Sequence, residues 1–164
     1  MTNKSDFTKD EWDDIITCAG MAGHSILLST KDGIFETLKE KMAIISSFEK
    51  AASKYPDNEL IKSAIGDSET AAGKEAGISV IENNREAYIE DTLGLCSEVA
   101  EILKAKADER EAEEFKRWIV SIAEDVALAI ATKKEEKMIS KDENLTLREI
   151  AGELGIEGYI PPDR

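Results

Sequence analysis

Apolar residues recur every three or four positions along most of this chain, the spacing typical of helices that bury one face. The first such run follows Thr8, which can cap a helix, while the side chain of Glu11 can reach back to the Thr8 amide. Phe7 can pack on Trp12 across this cap, as in a hydrophobic staple. We therefore expect a first helix that begins at this cap and continues to about Ser29.

The second half of this helix is apolar nearly all round. No Asp, Glu, Lys or Arg occurs between Ile15 and Lys31. A helix without a polar face is buried. We expect it in the middle of a bundle, where small side chains let neighbouring helices approach closely. These small residues are Ala19, Gly20, Ala22 and Gly23.

The same periodicity predicts further helices, separated by turns. They cover about 35–54, 60–66, a stretch of small residues within 67–84, 84–107, 110–132, and a last helix capped by Ser140 and stopped by Gly155. No segment alternates with period two for long enough to predict a strand. The sequence predicts an all-α fold, a single-domain bundle of six or seven helices with a buried N-terminal helix. The domain is 1–164, with a polar arm at 1–6 and an extended tail at 157–164.

The net charge of the chain argues against some classes of partner. The 164 residues include 21 Lys and Arg but 35 Asp and Glu, so the net charge is −14. Such a surface repels phosphate backbones and anionic lipid, which argues against nucleic acid and membranes as partners. The longest uncharged stretch, 15–30, is shorter than the roughly 20 residues that span a bilayer.

The compartment is read from the N-terminus and the cysteines. Residues 1–10 are polar, where a secretory signal has a basic start and an apolar middle. Cys18 and Cys96 lie far apart in sequence, which is not the pattern of a disulfide framework or a metal knuckle. We expect a cytoplasmic protein.

The residues available for catalysis are few. His24 is the one histidine and lies in the uncharged helix, where a core histidine with one hydrogen-bond partner is the expected role. Cys96 fits the buried stripe of its own helix, and Asp125 lies at the edge of another stripe. The sequence thus favours a protein that is not an enzyme. A pocket lined by His24, Cys96 and Asp125 would reopen the enzymatic alternative.

The remaining candidate site is one in which carboxylates bind a metal ion. They cluster after the first predicted turn and at the start of the last helix, and oxygen clusters of this kind suit hard divalent cations. First turns of helices also attract acidic residues for electrostatic reasons alone. The candidate metal ligands are Asp32, Glu36, Glu40, Asp142 and Glu143. No other cofactor is predicted.

Two segments share a turn, an apolar residue, a Ser/Thr-x-x-Glu cap and an amphipathic helix. They are Asp32-Gly-Ile-Phe-Glu-Thr37-Leu-Lys-Glu40 and Met138-Ile-Ser140-Lys-Asp-Glu143. This arrangement resembles the all-helical TerB-like family linked to tellurite resistance and stress responses. The resemblance implies that acidic residues hold a divalent cation. Thr30 and Lys31 depart from the small and acidic residues that this family usually has before the Asp-Gly turn.

Two hypotheses about function follow. The first is a protein-interaction or self-associating module, whose partner is another protein or a second copy of the chain. It depends on the absence of catalytic constellations and on a tail and apolar helix faces not fully used within one monomer. The second is a divalent-cation-binding, TerB-like stress-response protein.

Overall fold

The protein's structure, a computed structural model, describes residues 1–29, 37–75, 85–132 and 138–162. Of the side chains at 37–43, 72–75 and 132 nothing is described. The described residues form six helices: α1 (Lys9–Ser29), α2 (Thr37–Ala52), α3 (Glu59–Glu75), α4 (Arg85–Lys106), α5 (Glu109–Thr132) and α6 (Lys141–Glu153). They contain no strand. The predicted all-α single-domain bundle is confirmed.

Helix α1 is the centre of the bundle, as its uncharged sequence predicts. It contacts all five other helices. From Cys18 to Ser29 every side chain except Met21 is buried. Gly23 marks a close approach, since a Cβ atom there would lie 3.0 Å from Cγ2 of Ile44 in α2. The sequence prediction that small residues let neighbours approach is confirmed at this position.

The start of α1 is fixed by the predicted cap and staple. The Thr8 amide donates to the Glu11 carboxylate at 2.9 Å, and the Glu11 amide donates to the Thr8 hydroxyl at 3.2 Å. The rings of Phe7 and Trp12 pack with centroids 5.9 Å apart. The two contacts together set the direction in which the chain enters the bundle.

The third helix differs from the prediction. The sequence favours a short helix ending near Gly66 and a separate helix of small residues, but α3 continues unbroken through Gly66 to Glu75. Glycine costs about 1 kcal/mol relative to alanine within a helix. Burial of one continuous face overrides that cost. Before Gly66 the apolar residues Leu60, Ile61 and Ala64 are fully buried, and after it Ser68 is fully buried.

Aromatic packing joins α2 to α5. Phe48 and Trp118 are fully buried, and the Trp118 indole N–H donates to the Phe48 carbonyl at 3.0 Å. Phe115 meets Trp118 edge to face with centroids 5.0 Å apart. This pairing satisfies the one polar atom of the largest side chain in the core.

The polar arm ahead of α1 is tied to the bundle. Thr2 is buried, and its backbone N–H donates to the Glu111 carboxylate at 3.1 Å. The Asp108 backbone N–H donates to the Thr2 hydroxyl at 2.9 Å. Lys4–Asp6 form one turn of 3-10 helix. The arm therefore closes over the start of α5.

Candidate functional site: the outer face of the sixth helix

Helix α6 begins and ends at the residues that the sequence predicts. The Glu143 amide donates to the Ser140 hydroxyl at 3.2 Å, so Ser140 caps the first turn. Gly155 has φ +77, the left-handed conformation that ends a helix, and the Ile156 amide donates to the Ala151 carbonyl at 2.9 Å. The position of this helix is thus fixed at both ends.

The inner face of α6 is joined to α1 by packing and by hydroxyl groups. Its buried apolar residues are Leu147, Ile150 and Ala151, with Leu154 just beyond the helix. The hydroxyls of Ser29 and Thr146 lie 2.6 Å apart, and both side chains are buried. One turn earlier in α1, the Ser25 hydroxyl donates to the Thr92 hydroxyl in α4 at 2.8 Å.

The outer face of α6 presents an apolar side chain to solvent. Leu145 is 56% exposed. Only three other large apolar side chains are exposed among those that the structure describes, and two of them flank this helix in sequence: Met138 (52%) and Ile160 (80%); the third is Met1. The C-terminal part therefore carries three of the four exposed large apolar side chains in the described part of the chain. Single exposed leucines are common on protein surfaces. Whether Leu145 belongs to an interface therefore depends on the charges around it.

Charges of opposite sign border Leu145 on its two sides. At about 100° per residue, Lys141 and Arg148 lie about 40° and 60° to one side of Leu145. Asp142 and Glu149 lie about 60° and 40° to the other side by the same arithmetic. Of these four, Lys141, Arg148 and Glu149 are exposed and Asp142 is half-buried. The outer face of α6 therefore has one leucine, Leu145, between a basic flank (Lys141 and Arg148) and an acidic flank (Asp142 and Glu149).

The predicted metal ligands are only partly placed. Asp32 and Glu36 lie outside the described residues, and Glu40 lies in the first turn of α2, where side chains are not described. Asp142 and Glu143 are neighbours at the start of α6, with Asp142 half-buried and Glu143 fully buried. Among the described residues no group of three or more Asp, Glu, His or Cys side chains is arranged to hold a metal ion.

The residues of the enzymatic alternative have separate surroundings. His24 is buried, its Nδ1 lies 2.8 Å from the Gly20 carbonyl, and its ring meets Tyr88 edge to face. Cys96 is buried against Cys18, and Asp125 is half-buried on α5. Two surface clefts of about 770 and 540 Å³ lie beside Trp12, and none of His24, Cys96 and Asp125 lines either of them. The expected structural role of His24 fits these contacts.

The clefts beside Trp12 are bordered by the N-terminal arm. Lys4 lies over the Trp12 ring, with Nζ 5.5 Å from its centroid, and pairs with Asp67 at 2.9 Å. The Trp12 indole N–H donates to the same Asp67 carboxylate at 3.0 Å. These polar groups hold one another and tie the arm to α1 and α3.

The tail after α6 packs beside Glu124 of α5 through Tyr159. Burial raises the pKa of Glu124, while the Tyr159 hydroxyl and then the charge of Lys54 oppose this shift. Burial also raises the pKa of Asp125, against the influence of Lys50 and Lys54. The pKa of Tyr159 is raised by burial and by the neighbouring Glu124. The tail is thus held beside one carboxylate, Glu124, for which burial disfavours ionisation.

Comparisons with family models, curated proteins and solved structures find no match for this chain. Within the described parts of the chain, no helix is long and apolar enough to cross a membrane.

Sequence reasoning missed the exposed leucine and the meeting of the two cysteines. Leu145 could have been found, because the buried stripe of α6 runs through Leu147, Ile150 and Leu154 and leaves Leu145 outside it. The contact between Cys18 and Cys96 depends on the register in which α1 packs against α4, for which the sequence holds no local signal.

Proposed function

We propose that the protein works as a self-associating module, through the outer face of α6, rather than by catalysis. The observation that supports this most is the exposed Leu145 between a basic flank and an acidic flank. An apolar contact bordered by complementary charges is the usual composition of a specific interface. The proposed location of this module is the cytoplasm.

The arrangement of charges favours one symmetry over another. In two copies related by a two-fold axis parallel to α6, each residue faces the opposite flank of the second copy at nearly the same height. Arg148 then lies opposite Glu149 of the second copy, and Lys141 lies opposite Asp142. An antiparallel pair instead places Arg148 opposite Lys141 and Asp142 opposite Glu149. Like charges repel, so we propose the parallel two-fold pair.

The association is expected to be weak. Helix α6 has 13 residues and is therefore about 20 Å long, which limits the contact to the small end of specific interfaces. Each copy also carries a net charge of −14, and this repulsion opposes dimer formation. We expect a dissociation constant on the order of micromolar or weaker.

Sedimentation velocity over a wide range of protein concentration tests the proposal. The wild-type protein is expected to shift from monomer to dimer as its concentration rises. Leu145→Glu places two carboxylates against each other at the centre of the contact and should leave a monomer. Ala87→Glu is the matched control, because Ala87 is exposed on α4 and the substitution adds the same charge.

Two outcomes overturn self-association through this face. One is a wild-type protein that stays monomeric throughout the range. The other is a dimer that Leu145→Glu leaves intact. The module would then have a different protein as its partner, or a different face of the chain as its contact.

A second candidate, divalent-cation binding of the kind that the TerB-like resemblance implies, is supported by the fully buried Glu143 carboxylate beside Asp142. Calorimetric titration with Mn²⁺ tests it, with Glu153→Gln as an exposed control. Binding that weakens in the Asp32→Asn, Glu36→Gln double variant and in Glu143→Gln supports the candidate. Unchanged affinity removes those residues from the site.

A further inference from the structure

The two cysteines of the chain meet inside the bundle. Cys18 lies on α1 and Cys96 on α4, 78 positions apart, and their sulfur atoms are 3.6 Å apart. Both side chains are fully buried, and no covalent bond joins them. The fold therefore brings together two thiols whose spacing along the chain predicts no pairing.

The separation is close to what a disulfide needs. A disulfide bond is about 2.05 Å long, so the sulfur atoms must approach by only about 1.5 Å. Rotation about the side-chain bonds of two cysteines on helices that already touch can supply a movement of this size. We propose that Cys18 and Cys96 are a reversible oxidation site, which closes an α1–α4 crosslink when the protein meets a peroxide.

The chemistry balances with hydrogen peroxide as the oxidant. One thiolate attacks a peroxide oxygen, the O–O bond breaks, and a sulfenic acid and one water form. The second thiol then attacks the sulfenic sulfur, the S–O bond breaks, a second water leaves, and the S–S bond forms. In total the two thiols lose two protons and two electrons, and the peroxide is reduced to two molecules of water. A small thiol such as glutathione reverses the bond by exchange.

The crosslink acts on the element that organises the bundle. Helix α1 contacts every other helix, so tying it to α4 restricts the unfolded chain across the long intervening segment. We expect the oxidised protein to melt at a higher temperature. Because both thiols are buried, the rate of oxidation should follow the rate at which α1 and α4 separate transiently.

The test uses the full-length protein, reduced and then exposed to hydrogen peroxide in a series of sub-denaturing urea concentrations. A parallel sample receives N-ethylmaleimide, which reports whether both thiols are accessible under each condition. Intact mass spectrometry should show the loss of two hydrogen atoms, and a digest should contain one peptide pair joined through Cys18 and Cys96. Dithiothreitol should restore the original mass and the lower melting temperature.

Single variants supply the control. Cys18→Ala and Cys96→Ala each leave one thiol, which can gain oxygen atoms or join a second molecule but cannot form a disulfide within one chain, so the crosslinked peptide pair should be absent from their digests. The proposal is overturned if, where N-ethylmaleimide labels both thiols, peroxide adds oxygen atoms to the wild type or links separate molecules instead. Crosslinking within a chain is independent of dimer formation, so this test neither needs nor affects the contact at α6.

Discussion

The N-terminal arm together with the first turn of α1 that it packs against, residues 1–12, and the C-terminal segment, residues 138–162, both bury side chains in the core, but they use their other side chains differently. The side chains of the arm make their contacts within the chain. Thr2 and Phe7 are buried, and Lys4 pairs with Asp67. The C-terminal segment buries one face of α6 yet leaves Leu145 and Ile160 exposed. We therefore propose that the arm stabilises the fold and that the C-terminal segment supplies the contact surface of the module.

The carboxylates of the two regions also differ in the direction of their pKa shifts. Contact with Lys106 lowers the pKa of Glu11, and contact with Lys4 and then Trp12 lowers that of Asp67. Beside the tail, burial raises the pKa of Glu124, and the Tyr159 hydroxyl opposes this shift. Ionisation is therefore favoured at Glu11 and Asp67 and disfavoured at Glu124, so we expect carboxylates in the two places to have opposite effects on stability at neutral pH.

Truncating an aromatic anchor of the arm should have the largest effect on stability. Trp12→Ala is expected to lower the free energy of unfolding by about 3 to 5 kcal/mol, because it removes a buried ring. Leu145→Ala, on the exposed face of α6, should change it by less than about 0.5 kcal/mol. Urea unfolding followed by circular dichroism measures both. Similar losses in the two variants would break the distinction between the regions.

Removing the carboxylate that the arm uses should have an intermediate effect. Asp67→Ala deletes the partner of Lys4 and of the Trp12 indole. We expect a loss of about 1 kcal/mol, since 41% of the Asp67 side chain is exposed and water screens its ion pair. Glu153→Ala is the control, because this exposed carboxylate should contribute almost nothing. Equal stability of the two variants in urea would contradict the claim that the contacts of the arm stabilise the fold.

The smallest effect is expected beside the tail, and it has the opposite sign. Since burial raises the pKa of Glu124 above its ordinary 4.5, the ionised form destabilises the fold at neutral pH. Glu124→Gln should therefore be more stable than the wild type there, on the order of 0.5 kcal/mol. The difference should shrink as the pH falls through the raised pKa toward 4.5, where the wild type gains its proton.

Unfolding curves at several pH values check this sign against that of Asp67→Ala. The deficit of the Asp67 variant should also shrink in acid, but only as the pH falls through the lowered pKa of Asp67, below its ordinary 3.8. The two differences thus approach zero from opposite sides and over separate pH ranges. A Glu124→Gln variant that is less stable than the wild type at neutral pH would contradict the description of the tail.

Much of the fold is predictable because its signals are local. The cap at Thr8 and Glu11, the stop at Gly155 and the uncharged run of α1 each depend on residues within a few positions of one another. The unbroken α3 is not predictable in this way. Gly66 favours an interruption locally, and burial against distant helices overrides that preference.

The candidate site is predictable only in part. The charges around Leu145 can be read from helical spacing, but whether Leu145 faces solvent depends on which side of α6 packs against α1. The nominated Glu143 illustrates the same limit, since its place in a first turn suggests an exposed carboxylate and the structure buries it fully. Contacts between helices, such as that of Cys18 with Cys96, require the three-dimensional register.

The most direct test of self-association through α6 is a charge-exchange series measured by sedimentation velocity. Arg148→Glu alone and Glu149→Arg alone should each weaken the dimer, because each places like charges opposite one another. The double variant should restore it, and it keeps the net charge of the chain unchanged. Failure of the double variant to recover the dimer would contradict the account, as would a dimer that Arg148→Glu alone strengthens.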